Sequence, residues 1–253
     1  MKKEDLIAKV NLLTEKYYKN FYYSLLGLTD YKSRINFRKQ ETSTARAHIN
    51  SLEGLLDFKF EKNKKVLVVG GGTGAEFLEF FIRGCDVYSI EPNKEALKII
   101  ELKSEIYNIP KEKSLRGVAE KIPFNNNYFN YIYCWTVLEH VQNVEKAISE
   151  MVRVVKRKGF LIVMCPNYDL FQTWEPHYKL YLPLFMPTWF NKLILHINKR
   201  PSNYFDSLNL ISKKQLKSIL KKYKVLAYQI DNRLSNQLFE TKKRNQLWII
   251  KKQ

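Results

Sequence analysis

Apolar residues recur at helical spacing through much of the first 60 residues. Residues 5–13 place Leu, Ile and Val on one side of a helix, and an aromatic stretch ending at Tyr23 continues the pattern. Gly27 marks a break, and residues 43–56 carry a second apolar stripe. The pattern therefore predicts that residues 1–60 form an N-terminal helical cap.

From residue 61 onwards, short β-branched runs alternate with helical patterns. We predict strands at 66–69, 87–90, 115–118, 131–134 and 160–164, and helices at 75–81, 94–107 and 144–156. Such alternation predicts an α/β fold, with a doubly wound, mostly parallel sheet covered by helices on both faces. Two last strands, at 225–230 and 247–251, are too close in sequence for a crossover helix. They predict an antiparallel hairpin at the edge of a seven-stranded sheet.

The first predicted strand runs into Gly70-Gly71-Gly72-Thr73-Gly74 and then into a helix. Glycines at such a turn allow the backbone to approach a nucleotide cofactor where a Cβ would clash. Glu91 ends the next strand, where its carboxylate can accept hydrogen bonds from both hydroxyls of a ribose. These features alone fit a dinucleotide cofactor and S-adenosylmethionine equally well.

Three later segments, 117–124, 128–141 and 153–160, follow in an order that decides between the two cofactors. With them the chain resembles the class I S-adenosylmethionine-dependent methyltransferases over roughly residues 66–165. The resemblance implies a Rossmann-like methyltransferase with S-adenosyl-L-methionine as cofactor. The implied binding residues are Gly70, Gly71, Gly72 and Gly74 at the methionine and ribose, Glu91 at the ribose, Val118, Ala119 and Glu120 at the adenine, and Trp135 beside the methyl-transfer cleft. Three positions depart from the family pattern: Val68, Val118 and Asn130 stand where the family often has an acid.

Four histidines are candidates for the base that a hydroxyl acceptor needs. His48 is expected at the surface, His196 in an apolar run where it packs, and His140 in a structural role. His177 lies with Glu175 in Trp174-Glu175-Pro176-His177-Tyr178, after the fifth strand, and ligands of doubly wound sheets bind beyond the carboxyl ends of the strands. We therefore predict Glu175 and His177 as the catalytic pair, with a Pro-fixed turn and a packed histidine as the alternative.

The chain carries 43 Lys and Arg against 25 Asp and Glu, a net charge of +18. Residues 199–253 hold 14 of the basic and only 3 of the acidic residues. This asymmetry indicates either attraction to phosphate or a composition bias with lysines on solvated faces. The three cysteines show no metal-binding spacing, so no metal site is predicted, and a cytoplasmic location is expected.

The domain organisation predicted is the helical cap at 1–60, the cofactor-binding core at 61–165, an acceptor-side insertion at 166–211 and the end of the sheet at 212–253. The insertion contains an apolar, aromatic stretch at 180–190, which is expected to form a lid over the acceptor or a peripheral contact with the inner face of a membrane. Simple packing over the sheet as part of the core is the third alternative. Pro183 and Pro187 exclude one uninterrupted amphipathic helix there.

The leading interpretation is O-methylation of a sugar hydroxyl on a nucleotide- or lipid-linked glycan. The cluster around His177 is similar to one in class I methyltransferases of bacterial surface-polysaccharide gene clusters, and the basic C-terminal third would meet a phosphate on the acceptor. Two alternatives stay open: an RNA methyltransferase, favoured by the charge, and a non-catalytic cofactor-binding scaffold. The sequence leaves the acceptor atom and the oligomeric state open.

Overall fold

The computed structural model describes residues 2–39, 41–169, 174–230 and 245–253. Its strands are β1 (Lys65–Val69), β2 (Asp86–Glu91), β3 (Ser114–Arg116), β4 (Phe129–Trp135), β5 (Val155–Pro166), β6 (Trp174–Glu175), β7 (Leu180–Tyr181), β8 (Val225–Gln229) and β9 (Asn245–Lys252). Its α-helices are α1 (Lys3–Lys19), α2 (Tyr31–Arg38), α3 (Glu41–Leu56), α4 (Ala75–Ile82), α5 (Lys94–Ile106), α6 (Val144–Val154), α7 (Thr188–Ile197), α8 (Asn203–Asp206) and α9 (Lys213–Leu220). A π-helical segment, Asn20–Leu25, continues α1.

Seven strands form one sheet in the order β3-β2-β1-β4-β5-β9-β8. β1 to β5 are parallel, whereas β9 pairs antiparallel with both β5 and β8. The chain order reverses beside β1, which places a crevice at the carboxyl ends of β1 and β4. The predicted doubly wound sheet and its antiparallel edge strands are thus confirmed. The connection between β8 and β9 lies outside the described residues for positions 231–244.

Apolar side chains cover both faces of the sheet because β1, β4 and β5 are rich in buried Val, Ile and Tyr, as expected of strands with two covered faces. On one face, Ile148 and Met151 of α6 pack with Leu216 of α9. On the other face, Ile49 of α3 and Phe77 of α4 complete the core. The sheet is therefore enclosed between two helical layers.

The N-terminal segment and the insertion share a separate core. Tyr22 and Leu26, at the end of the first helical stretch, pack with Tyr178, Leu182 and Leu195 of the insertion. The apolar side of α1 lies against α5. These contacts bring the N-terminal segment next to the insertion, although the two segments are far apart in sequence.

Helices α7, α8 and α9 and the early start of β5 at Val155 were not predicted, and two further local differences have a clear physical reason. Helix α2 was not predicted, because Ile35 is its one buried residue among the described residues and leaves no apolar stripe to detect. The third strand ends at Arg116, two residues earlier than predicted, since Val118 forms an isolated antiparallel bridge with Lys121 instead. Over the described part of the chain, no helix combines the length and apolarity needed to cross a bilayer.

Candidate active site

The glycine loop after β1 adopts a conformation that its sequence requires. Gly70 has φ +68°, and a Cβ there would lie 2.5 Å from a methyl carbon of Val137. A Cβ on Gly71 would lie 2.1 Å from the hydroxyl oxygen of Ser89. At Gly72, by contrast, a Cβ would meet no described atom within 4 Å, so this side of the loop is open. Gly74, with φ +89°, precedes α4. The loop is therefore closely packed at Gly70 and Gly71 and open at Gly72.

Glu91 lies beside this loop at the carboxyl end of β2 and is only 6% exposed. Its Oε2 accepts a 2.8 Å hydrogen bond from the backbone N–H of Gly72, and its Oε1 accepts one of 2.8 Å from Asn93. Burial raises the pKa of Glu91, although these two hydrogen bonds partly oppose the shift. Each carboxylate oxygen keeps a second lone pair, so the group can still accept hydroxyl donors.

Helix α1 closes the crevice from the N-terminal side. The Tyr18 hydroxyl lies 3.0 Å from the Thr73 hydroxyl in the glycine loop, and Lys103 donates a 2.7 Å hydrogen bond to the Thr73 carbonyl. Next to these residues, a cavity of about 210 Å³ is lined by Leu13, Lys16, Tyr17, Lys94, Glu95 and Lys98. Burial, with a smaller contribution from the nearby Glu91 carboxylate, raises the pKa of Tyr17 to about 12. The cavity lies between α1 and the start of α5, and neither the glycine loop nor Glu91 is among its lining residues.

The predicted adenine segment has a mixed environment. Val118 is 45% exposed, whereas Ala119 is buried in the sheet core. The Glu120 Oε1 accepts hydrogen bonds from the backbone N–H groups of Gln142 (2.6 Å) and Asn143 (3.2 Å), just before α6. Because this oxygen already binds the chain before α6, the role predicted for the Glu120 side chain at adenine has a competing structural explanation.

Trp135 ends β4, and its ring stacks on Tyr133 with the centroids 5.3 Å apart and the planes 3° from parallel. The ring of His48 lies 5.8 Å from Trp135 on the other side. The expectation that His48 is a surface residue was wrong: it is half-buried, and burial lowers its pKa. His196 was expected to pack in an apolar run, but it is exposed, because α7 buries Asn191 and Leu195 instead.

Glu175 and His177 lie on the small β6–β7 hairpin and form a tight pair. The His177 Nδ1 is 2.7 Å from the Glu175 Oε1, which also accepts a 3.0 Å hydrogen bond from the Tyr168 hydroxyl. The Glu175 Oε2 accepts a 2.6 Å bond from the backbone N–H of Tyr178. Glu175 is fully buried, so its carboxylate could influence an acceptor only through His177.

The two pKa values in this pair shift in opposite directions. Burial disfavours both charged forms, but the mutual hydrogen bond and charge attraction outweigh it. The pKa of Glu175 is therefore lowered and that of His177 is raised. A negative Glu175 fixes the proton of a neutral His177 on Nδ1, because a carboxylate can only accept. The Nε2 lone pair is then the basic position of the ring.

The loop after β4 brings a second imidazole to His177. The ring centroids of His140 and His177 are 5.3 Å apart, and Tyr204 lies 5.4 Å from His177. Glu139 is 1% exposed, and among the described residues neither of its carboxylate oxygens has a hydrogen-bond partner. Burial raises the pKa of Glu139 to about 7. Sequence reasoning gave His140 a structural role and missed Glu139, because nothing local to that loop indicates its proximity to the hairpin.

These residues connect the acceptor side to the glycine loop. Val137, which packs against Gly70, lies two positions before Glu139 in the same loop. One possible ligand atom from each of Glu139, His140 and His177 lies within 4.8 Å of the others, a grouping that could hold a metal ion. The cluster thus combines a histidine base, a second histidine and a buried carboxyl group at the edge of the cofactor crevice.

The sheet order, the glycine loop after β1 and the acid after β2 define a Rossmann-like α/β protein of the methyltransferase type. Residues 67–163 match the family described as the methyltransferase domain, and this part of the chain is such a domain. The predicted resemblance to S-adenosylmethionine-dependent methyltransferases is confirmed at this level.

Similar proteins agree with the assignment. A ubiquinone/menaquinone biosynthesis C-methyltransferase of Photorhabdus laumondii is 32% identical over 124 residues, which is 47% of this chain and 49% of that protein. The structure of YcgJ from Bacillus subtilis has a TM-score of 0.57 at 15% identity, covering 81% of this chain and 99% of that one. A geranyl diphosphate C-methyltransferase of Streptomyces coelicolor, solved with S-adenosyl-L-homocysteine, has a TM-score of 0.53 at 13% identity, covering 78% and 73%. The chain spans about half the length of the curated relatives it matches.

Proposed function

We propose that this protein is an S-adenosylmethionine-dependent methyltransferase that methylates a hydroxyl group of a sugar on a nucleotide- or lipid-linked glycan. The observation that carries the proposal is the buried Glu175–His177 pair, 2.7 Å apart, beside His140 and the loop that packs on Gly70. Such a pair can remove a proton from a hydroxyl group that lies next to a cofactor.

The residues present fit S-adenosylmethionine. The open side of Gly72 leaves room for a ligand against the backbone, and the Glu91 carboxylate retains lone pairs for two ribose hydroxyls. Trp135, partly exposed at the end of β4, would border the methionine end of the cofactor. When bound, the cofactor supplies an electrophilic methyl group on a positively charged sulfur.

The protein's part in the reaction is to align the acceptor and accept its proton. His177 Nε2 would take the proton of the acceptor hydroxyl during transfer of the methyl group to its oxygen, and would hold that proton afterwards. Glu175 stabilises the resulting imidazolium through the Nδ1 hydrogen bond. Tyr168 and the Tyr178 N–H hold Glu175 in place.

Sugar as the acceptor class is supported by the surroundings of His177. The ring centroids of His140 and Tyr204 lie 5.3 and 5.4 Å from that of His177, and aromatic side chains with a few polar groups are typical of small-molecule sites. The lysines of α9 and those that follow it, Lys213, Lys214, Lys217, Lys221, Lys222 and Lys224, could attract a phosphate carrier.

The direct test replaces the base. We expect His177→Ala to lower methyl transfer to an extract of the source cells by about 10²-fold. Calorimetric affinity for S-adenosylhomocysteine should stay unchanged, because His177 lies on the acceptor side. The matched control is His196→Ala, which removes an exposed imidazole from α7. Normal turnover in His177→Ala would refute the base assignment.

A quinone ring carbon is a second candidate acceptor, because relatives at 27–32% identity are named as ubiquinone/menaquinone biosynthesis C-methyltransferases and a demethylmenaquinone methyltransferase. The same His177 could deprotonate a ring hydroxyl and so make the adjacent carbon nucleophilic. Label from the cofactor would then appear in the lipid fraction, on carbon, and would resist the acid hydrolysis that releases sugars.

A further inference from the structure

Five large apolar side chains lie exposed at four-residue intervals on the insertion: Tyr181, Phe185, Trp189, Leu193 and Ile197. Their exposed fractions run from 45% to 68%. The last three form one side of α7, while Asn191 and Leu195 on its other side are buried in the core shared with the N-terminal segment. The helix is therefore anchored by one side and presents an apolar stripe with the other. We call these five residues the docking face.

The docking face lies in a stretch of net positive charge. Residues 179–200 contain Lys179, Lys192, Lys199 and Arg200 and no Asp or Glu, and Lys192 forms a 2.8 Å ion pair with Asp206 of α8. At the C-terminal end of α7, an open cavity of about 560 Å³ is lined by His196, Ile197, Lys199, Arg200 and Pro201. It joins an apolar residue of the docking face to two basic ones, which suits a negatively charged phosphate group attached to an apolar chain.

We propose that the docking face binds the surface of an anionic lipid bilayer. Trp, Tyr and Phe are the side chains that favour the boundary between headgroups and acyl chains, and flanking lysines add attraction to anionic headgroups. Isologous pairing of two copies through this face would instead bring two stretches of net positive charge together, which like-charge repulsion opposes.

One residue of the docking face, Tyr181, belongs to the hairpin of the candidate active site. Tyr181 lies in the β6–β7 hairpin, and its ring is 4.8 Å from that of Trp174, the residue before Glu175. A bilayer in contact with Tyr181 would therefore lie next to the strand pair that carries Glu175 and leads into His177. The inference that the acceptor is lipid-linked rests on the proposed function. The inference that the docking face binds a bilayer is independent of it, since binding requires no turnover.

Co-sedimentation with vesicles tests the proposal. We expect the protein to bind vesicles of phosphatidylcholine mixed with phosphatidylglycerol, to bind vesicles of pure phosphatidylcholine far more weakly, and to dissociate as salt increases. Trp189→Ser combined with Ile197→Ser should weaken binding by at least about tenfold, because two large apolar side chains no longer insert. Lys199→Asn should weaken it by about fivefold. Asparagine suits the positive φ of 56° at that position.

The matched control is Ile82→Ser combined with Tyr107→Ser, which removes two exposed apolar side chains on α4 and after α5. It should bind the mixed vesicles like the unmodified protein. Circular dichroism melting should show all variants folded, because every altered side chain is exposed. Three results would overturn the proposal: no binding of the unmodified protein to the mixed vesicles, equal binding by the docking-face variant, or a dimer in light scattering that this variant dissociates.

Discussion

Single residues determine the chemistry proposed for this site, and His177 is the one whose titration should control the rate. Its pKa lies above the usual value near 6.5, since the attraction to Glu175 outweighs the effect of burial. The base must be neutral, so methyl transfer should rise with pH through that raised pKa. Glu175→Gln removes the negative partner, so the rising limb should move to lower pH while the maximal rate falls by at least about tenfold. A pH–rate profile with the same midpoint in both proteins would contradict the coupling.

Glu139 should make the stability of the protein depend on pH. Burial raises its pKa from 4.5 to about 7. Between pH 4.5 and pH 7, the folded state therefore keeps a proton that the unfolded state has released. Stability from this group is therefore present at low pH and is lost as pH rises towards 7. Glu139→Gln removes the charge, and at pH 8 it should raise the free energy of unfolding by about 1–3 kcal/mol relative to its effect at pH 5. Urea denaturation at both pH values measures this, and an effect independent of pH would contradict it.

Glu91 should determine cofactor affinity rather than folding. Glu91→Ala removes the acceptor proposed for both ribose hydroxyls, so the affinity for S-adenosylhomocysteine should fall by at least about tenfold. The control is Glu105→Ala, which removes an exposed carboxylate from α5. Calorimetry gives both affinities, and thermal melting shows whether each variant is folded. Unchanged affinity in folded Glu91→Ala would refute the ribose assignment.

At the scale of elements, the β1–loop–α4 unit depends on the absence of one side chain. An alanine Cβ at Gly71 would meet the Ser89 hydroxyl oxygen at 2.1 Å, so the loop must shift away from β2. We expect Gly71→Ala to lower the free energy of unfolding by about 1–3 kcal/mol and to abolish cofactor binding. Adding Ser89→Ala should recover part of both losses, because the contacts left are with Ile100 Cδ1 at 3.1 Å and Ser89 Cβ at 3.4 Å.

A glycine in another element gives the matched control for this change. Gly54 lies within α3, and no described atom is within 4 Å of the place where its Cβ would be. Gly54→Ala should therefore raise the free energy of unfolding by about 0.5–1 kcal/mol through helix propensity alone. Chemical denaturation compares the variants. If Gly71→Ala behaved like Gly54→Ala, the close packing of the loop would be disproved.

At the scale of the whole molecule, the features that follow from local sequence patterns could be predicted, whereas the contacts between segments distant in sequence could not. The sheet, the glycine loop and the position of Glu91 follow from short strands and from glycines at a strand end, so they could be predicted. The pairing of Glu175 with His177 was predictable because the two residues are adjacent on one turn. The approach of His140 to His177, however, requires the loop after β4 to meet a hairpin in the insertion, and no local pattern shows that.

Two further contacts could not be seen in the sequence for the same reason. Glu120 is predicted at the adenine by resemblance, and in the structure its carboxylate accepts hydrogen bonds from two backbone N–H groups just before α6. His48 was expected at the surface because its neighbours in α3 are polar, whereas it stacks with Trp135 of β4. Composition indicated positive charge, and the fold shows that part of this charge surrounds an exposed apolar face.

The account as a whole also predicts that no metal ion takes part in the reaction. Glu139, His140 and His177 could hold a cation, but the His177 lone pair is assigned to the acceptor proton. Dialysis against a chelator should therefore leave methyl transfer within about twofold of its starting rate, and adding Zn²⁺ or Mg²⁺ back should not raise it. Loss of activity on chelation, with recovery on adding metal, would instead indicate that a bound cation and not the His177 base supports the reaction.

Incubation with methyl-labelled S-adenosylmethionine and extract of the source cells, separated into nucleotide-sugars, lipids, polysaccharide and RNA, tests the central claim most directly. The account predicts label in a carbohydrate-bearing fraction that survives ribonuclease and is absent when His177→Ala replaces the unmodified protein. Label lost on ribonuclease treatment would instead support the RNA alternative. Cofactor binding without label in any fraction would contradict catalysis and leave a cofactor-binding scaffold.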